Sequence, residues 1–452
     1  MSLLPYHKLW PKRGELRSPA PALKHEDPHE GPKRIRIIHI INDLSIGGAE
    51  MMLYKLLSEV NRERFDSVVV SLRNRGLLNR RIEALGVPVH SVAMRLPLPT
   101  PTSCWRLMRL VRRINPDLVQ GWMYHGNLAA QIAGTFARQP VTVVWNVRQS
   151  LYGFDYEKRL TTAVIKLSAR LSNLPARIIY NSRIAAAQHG AIGYQSQNSV
   201  VIPNGFITNL FTPSLEARRS VRTELGVAED ALLIGLVSRY HPVKDHGNFL
   251  HAAAILLKSH SDVQFVLCGE GVNWVNPALC SLIDELNLAE RIHLLDQRDD
   301  MARITAAFDI ATSSSCAESF PNTIGEAMSC AVPCVVTDVS DLVWIVGETG
   351  RVVPPRNAQA LADGMRELVE MGPEGRAALG KAARERVINH FPLKEIESLY
   401  EALYEDVLAL PARGLTSNTS NVRYHEFGEH PLVNVPEADT PSSERPAALS
   451  SE

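Results

Sequence analysis

The chain has 452 residues, of which 45% are hydrophobic and 21% are charged, and its 48 basic residues balance 48 acidic ones. At about 100–200 residues per domain, this length and composition indicate a soluble protein with two domains, each large enough for a hydrophobic core. The zero net charge argues against nucleic acid as the main partner.

Both ends of the chain differ in composition from the part between them. Residues 1–33 are rich in proline and charge and lack a continuous apolar stretch, so we predict a disordered leader and not a secretory signal. Residues 411–452 are rich in Ser, Pro, Glu and Asn, which predicts a disordered tail. The six cysteines form no C-x-x-C pair, which favours free thiols in a reducing cytosol. No stretch approaches the ~18–20 apolar residues that a membrane-spanning helix needs.

From residue 34 onward, short apolar runs alternate with helical patterns. The run IRIIHIIND is followed by a Gly-Gly turn and the helical pattern AEMMLYKLLSEV. The later strand-like runs are SVVVSL, PDLVQGW, PVTVVWNV, ARIIYNS and SVVIPNG. This alternation is typical of a parallel sheet with helices on both faces. We therefore predict a Rossmann-like domain over residues 34–206.

The same pattern starts again after a Pro-Asn-Gly turn at residues 203–205. The strand-like runs are now ALLIGLVSR, VQFVLCGEG, RIHLLD, FDIATSS and PCVVTDV. They predict a second Rossmann-like domain over residues 207–392, followed by an amphipathic helix over residues 393–410. The predicted fold class is α/β, with two doubly wound domains facing a central cleft. The carboxyl ends of the strands, where such sheets bind ligands, would surround that cleft.

The segment CAESFPNTIGEAM contains two glutamates, Glu318 and Glu326, separated by seven residues. Pro321 suits the first turn of a helix, because its missing N–H would be unpaired there. The helix start and its dipole favour an anion such as a diphosphate, and the carboxylates suit hydroxyls of a ribose and of a sugar. A loop acid and a solvated helix glutamate are the simpler alternative. The backbone donors in question are those of Phe320, Asn322 and Thr323.

A cationic pair follows the first strand of the second predicted domain. The segment LVSRYHPVKDH places Arg239 and Lys244 at the carboxyl end of that strand. A departing nucleoside diphosphate needs its charge neutralised by a metal or by fixed cations. The adjacent Asp299 and Asp300 precede a helix and do not form a D-x-D signature for Mg²⁺. We therefore predict a diphosphate clamp without a metal, with two solvated loop cations as the alternative.

Three weaker signals lie at other predicted strand ends. Gly47 and Gly48 follow the first strand, where glycines let a backbone approach a phosphate or an acceptor closely. His125 follows PDLVQGW, where it could donate to sugar hydroxyls without acting as a base. Gly269 and Gly271 form a G-x-G but lack the third glycine of a dinucleotide fingerprint. A common turn and a packed loop histidine are the structural alternatives for the first two.

In this order and spacing, the motifs resemble those of retaining glycosyltransferases of family 4, which have the GT-B fold. The resemblance covers the chain from GGAE to the last predicted helix. It includes GGAE, MYHGNLAA, YNS, VIPNGFITNLFTP, SRYHPVKDH, LCGEG, the segment with the two glutamates, and GRVVPP. It implies that the last helix crosses back to brace the first domain.

The resemblance also implies a role for each matching residue. Glu326 would bind the nucleotide ribose, and Glu318 would bind hydroxyls of the donor sugar. Arg239 and Lys244 would hold the diphosphate, and His125 would lie near the donor sugar. The other implied donor-site positions are Gly47, Gly48, Ser319, Phe320, Pro321, Asn322, Thr323 and Gly269.

Two positions depart from the family pattern. Ser319 stands where the family usually has a glycine after its first glutamate, which could alter the sugar hydroxyls that fit. Asp296 stands where a glycine is common, near the loop that contacts the base, so the identity of the base is left open.

The sequence therefore predicts transfer of a hexose or N-acetylhexosamine from a nucleotide diphosphate sugar to a saccharide or lipid-linked saccharide, with retention and without a metal or other cofactor. The alternatives are a sugar-nucleotide epimerase and a non-catalytic sugar-nucleotide-binding protein. Polysaccharide or glycoconjugate biosynthesis in the cytoplasm is the expected setting. The basic, partly apolar helix CWRLMRLVRRI indicates a peripheral membrane contact as an extension, with a solvated outer helix as the alternative.

Overall fold

The computed structural model describes residues 34–73, 76–94, 100–153 and 158–409. The predicted leader and the predicted tail both lie outside the described residues. The chain divides into two units, Met1–Ala412 and Arg413–Glu452, and every described residue belongs to the first.

The first half of this unit is built on a seven-stranded parallel sheet in the order β3-β2-β1-β4-β5-β6-β7. Its strands are β1 (Ile35–Ile41), β2 (Phe65–Ser71), β3 (Val89–Ser91), β4 (Leu118–Trp122), β5 (Thr142–Val147), β6 (Arg177–Tyr180) and β7 (Ser199–Val201). Its helices are α1 (Gly48–Glu59), α2 (Leu78–Ala84), α3 (Pro101–Ile114), α4 (Met123–Thr135), α5 (Arg159–Leu171) and α6 (Arg183–Ala191).

The second half is built on a six-stranded parallel sheet in the order β10-β9-β8-β11-β12-β13. Its strands are β8 (Leu233–Val237), β9 (Gln264–Cys268), β10 (Ile292–Leu294), β11 (Ile310–Ser313), β12 (Cys334–Thr337) and β13 (Gly350–Val353). The helices are α7 (Leu215–Leu225), α8 (His246–Leu257), α9 (Pro277–Glu285), α10 (Met301–Thr305), α11 (Asn322–Ser329), α12 (Leu342–Val346), α13 (Ala358–Glu370), α14 (Gly372–His390) and α15 (Leu393–Ala409).

This architecture confirms the predicted α/β class with two Rossmann-like sheets. The predicted strand runs coincide with the interior strands, which are buried on both faces and are therefore continuously apolar, and with the edge strands β7 and β10. The short strands β3 and β13, at the edges of their sheets, were not predicted as strands. Their sequences, VHS and GRVV, have at most two apolar residues in a row, too few to stand out as a strand. The boundaries given above for the two domains stay a prediction.

In each sheet the strand order reverses direction at one point, between β1 and β4 and between β8 and β11. Loops at the carboxyl ends of strands on either side of such a point diverge and leave room for a ligand. Gly47, Arg239 and Glu318 lie in the loops after β1, β8 and β11, and His125 lies in the first turn of the helix that directly follows β4. The topology therefore places four predicted site residues at the two crevices.

The two halves are joined by two adjacent crossings of the chain. The backbone N–H of Phe206 donates to the carbonyl of Phe391 at 2.9 Å, and that of Leu393 donates to Phe206 at 3.1 Å. After the second crossing, α15 lies against the first sheet, where Tyr400 stacks on Trp122 with ring centroids 6.5 Å apart. Among the described residues, no helix is both long and apolar enough to cross a membrane.

Candidate active site

The first glutamate and the lysine of the predicted clamp are in contact. Glu318 lies in the loop after β11 and is 9% exposed. Its Oε1 accepts a hydrogen bond from the Ser315 hydroxyl at 2.7 Å, and the Lys244 ammonium forms an ion pair with the same oxygen. The structure thus brings together a carboxylate and a cation that are 74 positions apart in the sequence.

Adjacent loops hold this pair in place. Lys244 ends the 3-10 turn Pro242–Lys244, which follows β8, and Ser314 follows the neighbouring strand β11. The Ser314 hydroxyl donates to the Lys244 carbonyl at 2.8 Å, and the Cys316 N–H donates to the Val243 carbonyl at 2.9 Å. Because β8 and β11 are paired, the loops that follow them are close enough to form these hydrogen bonds.

Arg239 lies two residues beyond β8 and is exposed. Its loop packs closely on Gly269, which has a φ of +153°, and a Cβ at Gly269 would lie 2.1 Å from the Ser238 carbonyl oxygen. Only glycine fits such an approach with that backbone conformation. The structure therefore gives Gly269, predicted as a donor-site residue, a clear role in supporting the Arg239 loop.

In the first half of the molecule, Gly47, Gly48 and Glu50 lie at the amino end of α1. Gly47 is the N-cap of α1, and a Cβ there would lie 2.3 Å from the Glu50 Oε2, whereas space around Gly48 is open. Burial, with a smaller contribution from Asp43, raises the pKa of Glu50 to about 7, against the lowering effects of a hydrogen bond from the Glu50 backbone and of the charge of Arg239. Arg239 thus acts electrostatically on the amino end of α1, and Glu50 is a site residue to which the sequence analysis gave no role.

His125 lies in the first turn of α4, directly after β4. It is half-buried, and burial followed by the nearby charge of Arg73 lowers its pKa, so the imidazole is neutral at pH 7. Gly126 brings the helix against β1, because a Cβ there would lie 2.5 Å from the Ile40 carbonyl oxygen. A neutral imidazole suits hydrogen bonding to a sugar better than it suits charge neutralisation.

The start of α11 has no side-chain cap. Pro321 is its N-cap residue, and Asn322 and Thr323 form its first turn, where backbone N–H groups have no intrahelical partner. From the crossing segment, the Asn204 amide donates to the Phe320 carbonyl at 2.9 Å and to the Asn322 side chain at 3.0 Å. The predicted helix start is therefore present, and Asn204, near the boundary between the two halves, holds it in position; anion binding there stays a prediction.

The side chains of Ser319 and Phe320, which precede Pro321, are directed away from the helix start. The Ser319 hydroxyl donates to the Asn181 side chain of the first half at 2.6 Å. The Phe320 ring is buried and packs on Phe206, Phe391 and Trp344, with ring centroids 5.6 to 6.2 Å apart. Only backbone groups of Phe320 can therefore face a ligand, and the serine at the glycine position makes a contact between the halves.

Two buried cations at the boundary were missed by sequence reasoning. Lys55 of α1 forms an ion pair with Glu326, with its Nζ 3.4 Å from Oε1. Arg148, which follows β5, donates to the Tyr400 hydroxyl at 2.8 Å and to the Asn204 side chain, and burial lowers its pKa. The signal for Lys55 was a lysine inside the apolar run AEMMLYKLLSEV. Glu326 thus forms an ion pair with Lys55, whereas Glu318 forms one with Lys244.

The second departure from the family pattern has a conformational basis. Asp296 has a φ of +50°, in the left-handed region that favours glycine and that aspartate tolerates better than most residues. Its carboxylate accepts a hydrogen bond from the Gly271 N–H at 3.0 Å, and the Asn273 side chain lowers its pKa. Within the described part of the chain, no three His, Cys, Asp or Glu side chains are grouped to hold a metal ion.

Known proteins resemble both halves of the chain. The N-acetyl-alpha-D-glucosaminyl L-malate synthase of Bacillus anthracis is 26% identical over 315 residues, which are 67% of this chain and 78% of that protein. The UDP-Gal:alpha-D-GlcNAc-diphosphoundecaprenol alpha-1,3-galactosyltransferase of Escherichia coli is 23% identical over 317 residues, 68% of this chain and 80% of that protein. Anabaena Alr3699/HepE, in complex with UDP-glucose, superposes with a TM-score of 0.72 at 21% identity, over 82% of this chain and all of that chain.

Two family models match the two halves separately. Residues 46–210 match Glycosyltransferase Family 4, and residues 231–371 match Glycosyl transferases group 1. The first match begins beside Gly47, and the second contains both glutamates and the Arg239–Lys244 pair. The protein therefore belongs to glycosyltransferase family 4 and has the GT-B fold.

Proposed function

We propose that the protein transfers a hexose or N-acetylhexosamine from a nucleotide diphosphate sugar to a saccharide or lipid-linked saccharide, with retention and without a metal ion. The contact of Lys244 with Glu318 beside the uncapped start of α11 carries the proposal. It places a cation, a hydroxyl-accepting carboxylate and unpaired backbone donors together, as a sugar linked to a diphosphate requires. Polysaccharide or glycoconjugate biosynthesis is the setting in which such a reaction would serve.

In this proposal, the donor enters between side chains that satisfy each other in its absence. The phosphates replace Glu318 as the partner of Lys244, and hydroxyls of the donor sugar replace Lys244 as the partner of Glu318. Arg239 and Lys244 then neutralise the charge that develops on the departing diphosphate. Neutral His125 hydrogen-bonds to the sugar.

The bond changes are those of a substitution with retention. The bond from the anomeric carbon to the diphosphate oxygen breaks, and the acceptor oxygen bonds to the same face of that carbon. The acceptor proton leaves with the diphosphate, and no side chain is assigned as a covalent nucleophile. Exclusion of water by the two halves would protect the donor from hydrolysis.

The clamp is tested by replacing Lys244 with alanine. We expect kcat/KM with a nucleotide sugar to fall about 100-fold or more, as when one stabilising donor of a transition-state charge is removed. Lys258→Ala, which removes an exposed lysine at the far end of α8, is the matched control and should keep full activity. Unchanged turnover in Lys244→Ala would show that the lysine does not hold the diphosphate.

The donor is found by thermal shift with a panel of nucleotide sugars, because a bound ligand raises the melting temperature by mass action. UDP sugars come first, since UDP-glucose is bound to HepE and the Escherichia coli relative is named for UDP-Gal. Incubation of the bound donor with and without an acceptor, followed by analysis of the products, separates the alternatives. An epimerase would convert the donor without an acceptor, and a non-catalytic binding protein would leave it intact with any acceptor.

The basic helix of the sequence analysis supports a peripheral contact with an anionic membrane. Residues 100–215 contain twelve lysines and arginines against three acidic residues, although the whole chain is neutral. On α3, Trp105 is 55% exposed, and the Arg109 guanidinium lies 5.2 Å from its ring centroid. A hollow of about 780 Å³ beside them is lined by Trp105, Met108, Arg109, Arg112, Arg113, Phe136 and Arg138.

These features sit on the outer side of one layer of helices. The buried sides of α3, α4 and α5 share one hydrophobic cluster on the first sheet, so their exposed sides share one surface. Cations over exposed aromatic and apolar side chains are the features of a membrane-surface contact. We place the enzyme at the cytoplasmic face, where its six unpaired cysteines would stay reduced.

Sedimentation with vesicles tests this contact. We expect binding to phosphatidylglycerol-containing vesicles but not to phosphatidylcholine alone, and a loss of binding when Arg109 and Arg113 are both changed to glutamine. Changing Arg219 and Lys381, two exposed cations of the second half, to glutamine is the control for total charge. Equal loss in both double variants, or no binding to either vesicle, would contradict a specific membrane surface.

A further inference from the structure

Lys55 is a buried cation in a helix whose neighbouring positions are apolar. It is 2% exposed, on the side of α1 that also buries Met52 and Leu56. An ammonium is expensive to remove from water unless a carboxylate or several acceptors compensate for the lost hydration. The groups around the Lys55 ammonium therefore indicate its role.

Those surroundings belong to the other half and to the crossing segment. The Lys55 Nζ lies 3.4 Å from the Glu326 Oε1, 3.5 Å from the Gly205 carbonyl oxygen and 5.7 Å from the centroid of the Phe206 ring. In the described parts of the chain, Glu326 is the carboxylate within ion-pair distance of Lys55. The lysine thus fixes one oxygen of Glu326 from within the first half.

Glu326 is held in this way but not enclosed. Its side chain remains 16% exposed, whereas that of Lys55 is 3% exposed. A carboxylate has about four acceptor positions on two oxygens, so an ion pair to Oε1 leaves capacity for a ligand. A carboxylate held in one rotamer before the ligand arrives loses less entropy on binding than a free one does.

We propose that Lys55 is a positioning residue for nucleotide recognition: it holds the Glu326 carboxylate so that this carboxylate accepts a hydrogen bond from the 2′-hydroxyl of the donor ribose. The proposal rests on the assignment of Glu326 to the ribose in the proposed function. It adds that part of the nucleotide specificity comes from the half of the molecule opposite the one that contains Glu326.

The test compares the affinities of UDP and 2′-deoxy-UDP by titration calorimetry. A lysine that acts through a ribose-binding carboxylate matters only when the hydroxyl is present. We expect Lys55→Met to weaken UDP binding about tenfold, as for loss of a hydrogen bond to a charged group, and to leave 2′-deoxy-UDP binding nearly unchanged. Glu326→Gln should shrink the ratio of the two affinities similarly, and the double variant should shrink it no further.

Lys394→Met is the matched control. It removes another lysine–glutamate pair, Lys394 with Glu397 at 2.8 Å, and the Lys394 Nζ also lies 3.5 Å from the carbonyl oxygen of Glu59 at the end of α1. Because this pair is not at Glu326, the ratio of the two affinities should stay at the wild-type value. Lys55→Gln, which is polar and uncharged, is measured in the same way if Lys55→Met does not fold.

Two outcomes overturn the proposal, and they are distinguishable. If Lys55→Met weakens UDP and 2′-deoxy-UDP equally, the lysine supports the fold or the arrangement of the halves and not the ribose contact. If Glu326→Gln leaves the ratio of affinities unchanged, the assignment of Glu326 to the ribose fails, and the role of Lys55 fails with it. In the second case, loss of activity in Lys244→Ala would still support the diphosphate clamp.

Discussion

Replacement of Glu50 by glutamine should stabilise the protein at alkaline pH but not at acidic pH. Glu50 is half-buried at the start of α1, with Asp43 near it, and burial raises its pKa to about 7 from an ordinary value of 4.5. Glutamine resembles the protonated acid in shape and carries no charge. The substitution therefore removes the cost of ionising this side chain in the folded state.

The size of the effect follows from the two pKa values. The unfolded chain releases the proton near pH 4.5 and the folded chain near pH 7, so the folded state binds more protons between these values. The free energy of unfolding of the wild type therefore falls as pH rises through this window, by about 1.4 kcal/mol per pH unit. At pH 8 the total decrease in the free energy of unfolding is at most about 3 kcal/mol. Below pH 4.5 the contribution of Glu50 is fully favourable, and the two proteins should be equally stable.

The assay is the difference in melting temperature between Glu50→Gln and the wild type at pH 4.5, 6 and 8. Other groups with shifted pKa, including Glu397, are present in both proteins and cancel in this difference. Glu63→Gln, at an exposed position just after α1, should show no such dependence on pH. A difference between Glu50→Gln and the wild type that is the same at all three pH values would refute the reasoning.

The other predictions concern the metal, the departure at Ser319 and a buried cation. EDTA should leave the transfer rate unchanged, and a loss that Mg²⁺ restores would contradict the clamp of Arg239 and Lys244. Ser319→Gly removes the 2.6 Å hydrogen bond to Asn181 and should lower the free energy of unfolding by about 1 kcal/mol, measured by denaturant titration. Arg148→Met leaves the side-chain oxygen of Asn204 without its Arg148 donor and leaves the Tyr400 hydroxyl with Asn146 as its remaining donor, and should cost about 2–3 kcal/mol in the same titration.

The parts of the site that the sequence predicted are local ones. The apolar runs gave the interior strands, and the residues just after them were therefore expected at the carboxyl edges of the sheets, where Arg239, Lys244 and Glu318 lie. The helix start after Pro321 was visible because proline and its neighbours carry their own conformational preference. Such signals depend on a few adjacent residues, and no knowledge of the tertiary fold is needed to read them.

The parts that were missed join distant residues. Lys55 and Glu326 are 271 positions apart, and Ser319 and Asn181 are 138 positions apart. Whether a lysine in an apolar helix faces solvent or a carboxylate depends on how the two halves meet, which no local pattern records. The serine at 319 was expected to bear on sugar hydroxyls, but its own hydroxyl is directed at the other half. The meaning of a substitution within a motif therefore depended on a neighbour outside that motif.

Contacts between the halves converge on residues 318–326, the segment that we propose binds the donor. Lys55 meets Glu326, Asn181 meets Ser319, and Asn204 of the crossing segment meets the Phe320 carbonyl and Asn322. Residues 318–326 thus have partners on both sides of the boundary, in addition to the Lys244–Glu318 pair within the second half. A rotation of one half about the two adjacent crossings must lengthen or exchange the Lys55–Glu326 and Asn181–Ser319 contacts, because these four residues lie outside the crossing segment. The geometry of the carboxylates is therefore coupled to the angle between the halves, so donor binding and closure would favour each other to the extent that these contacts strengthen on closure.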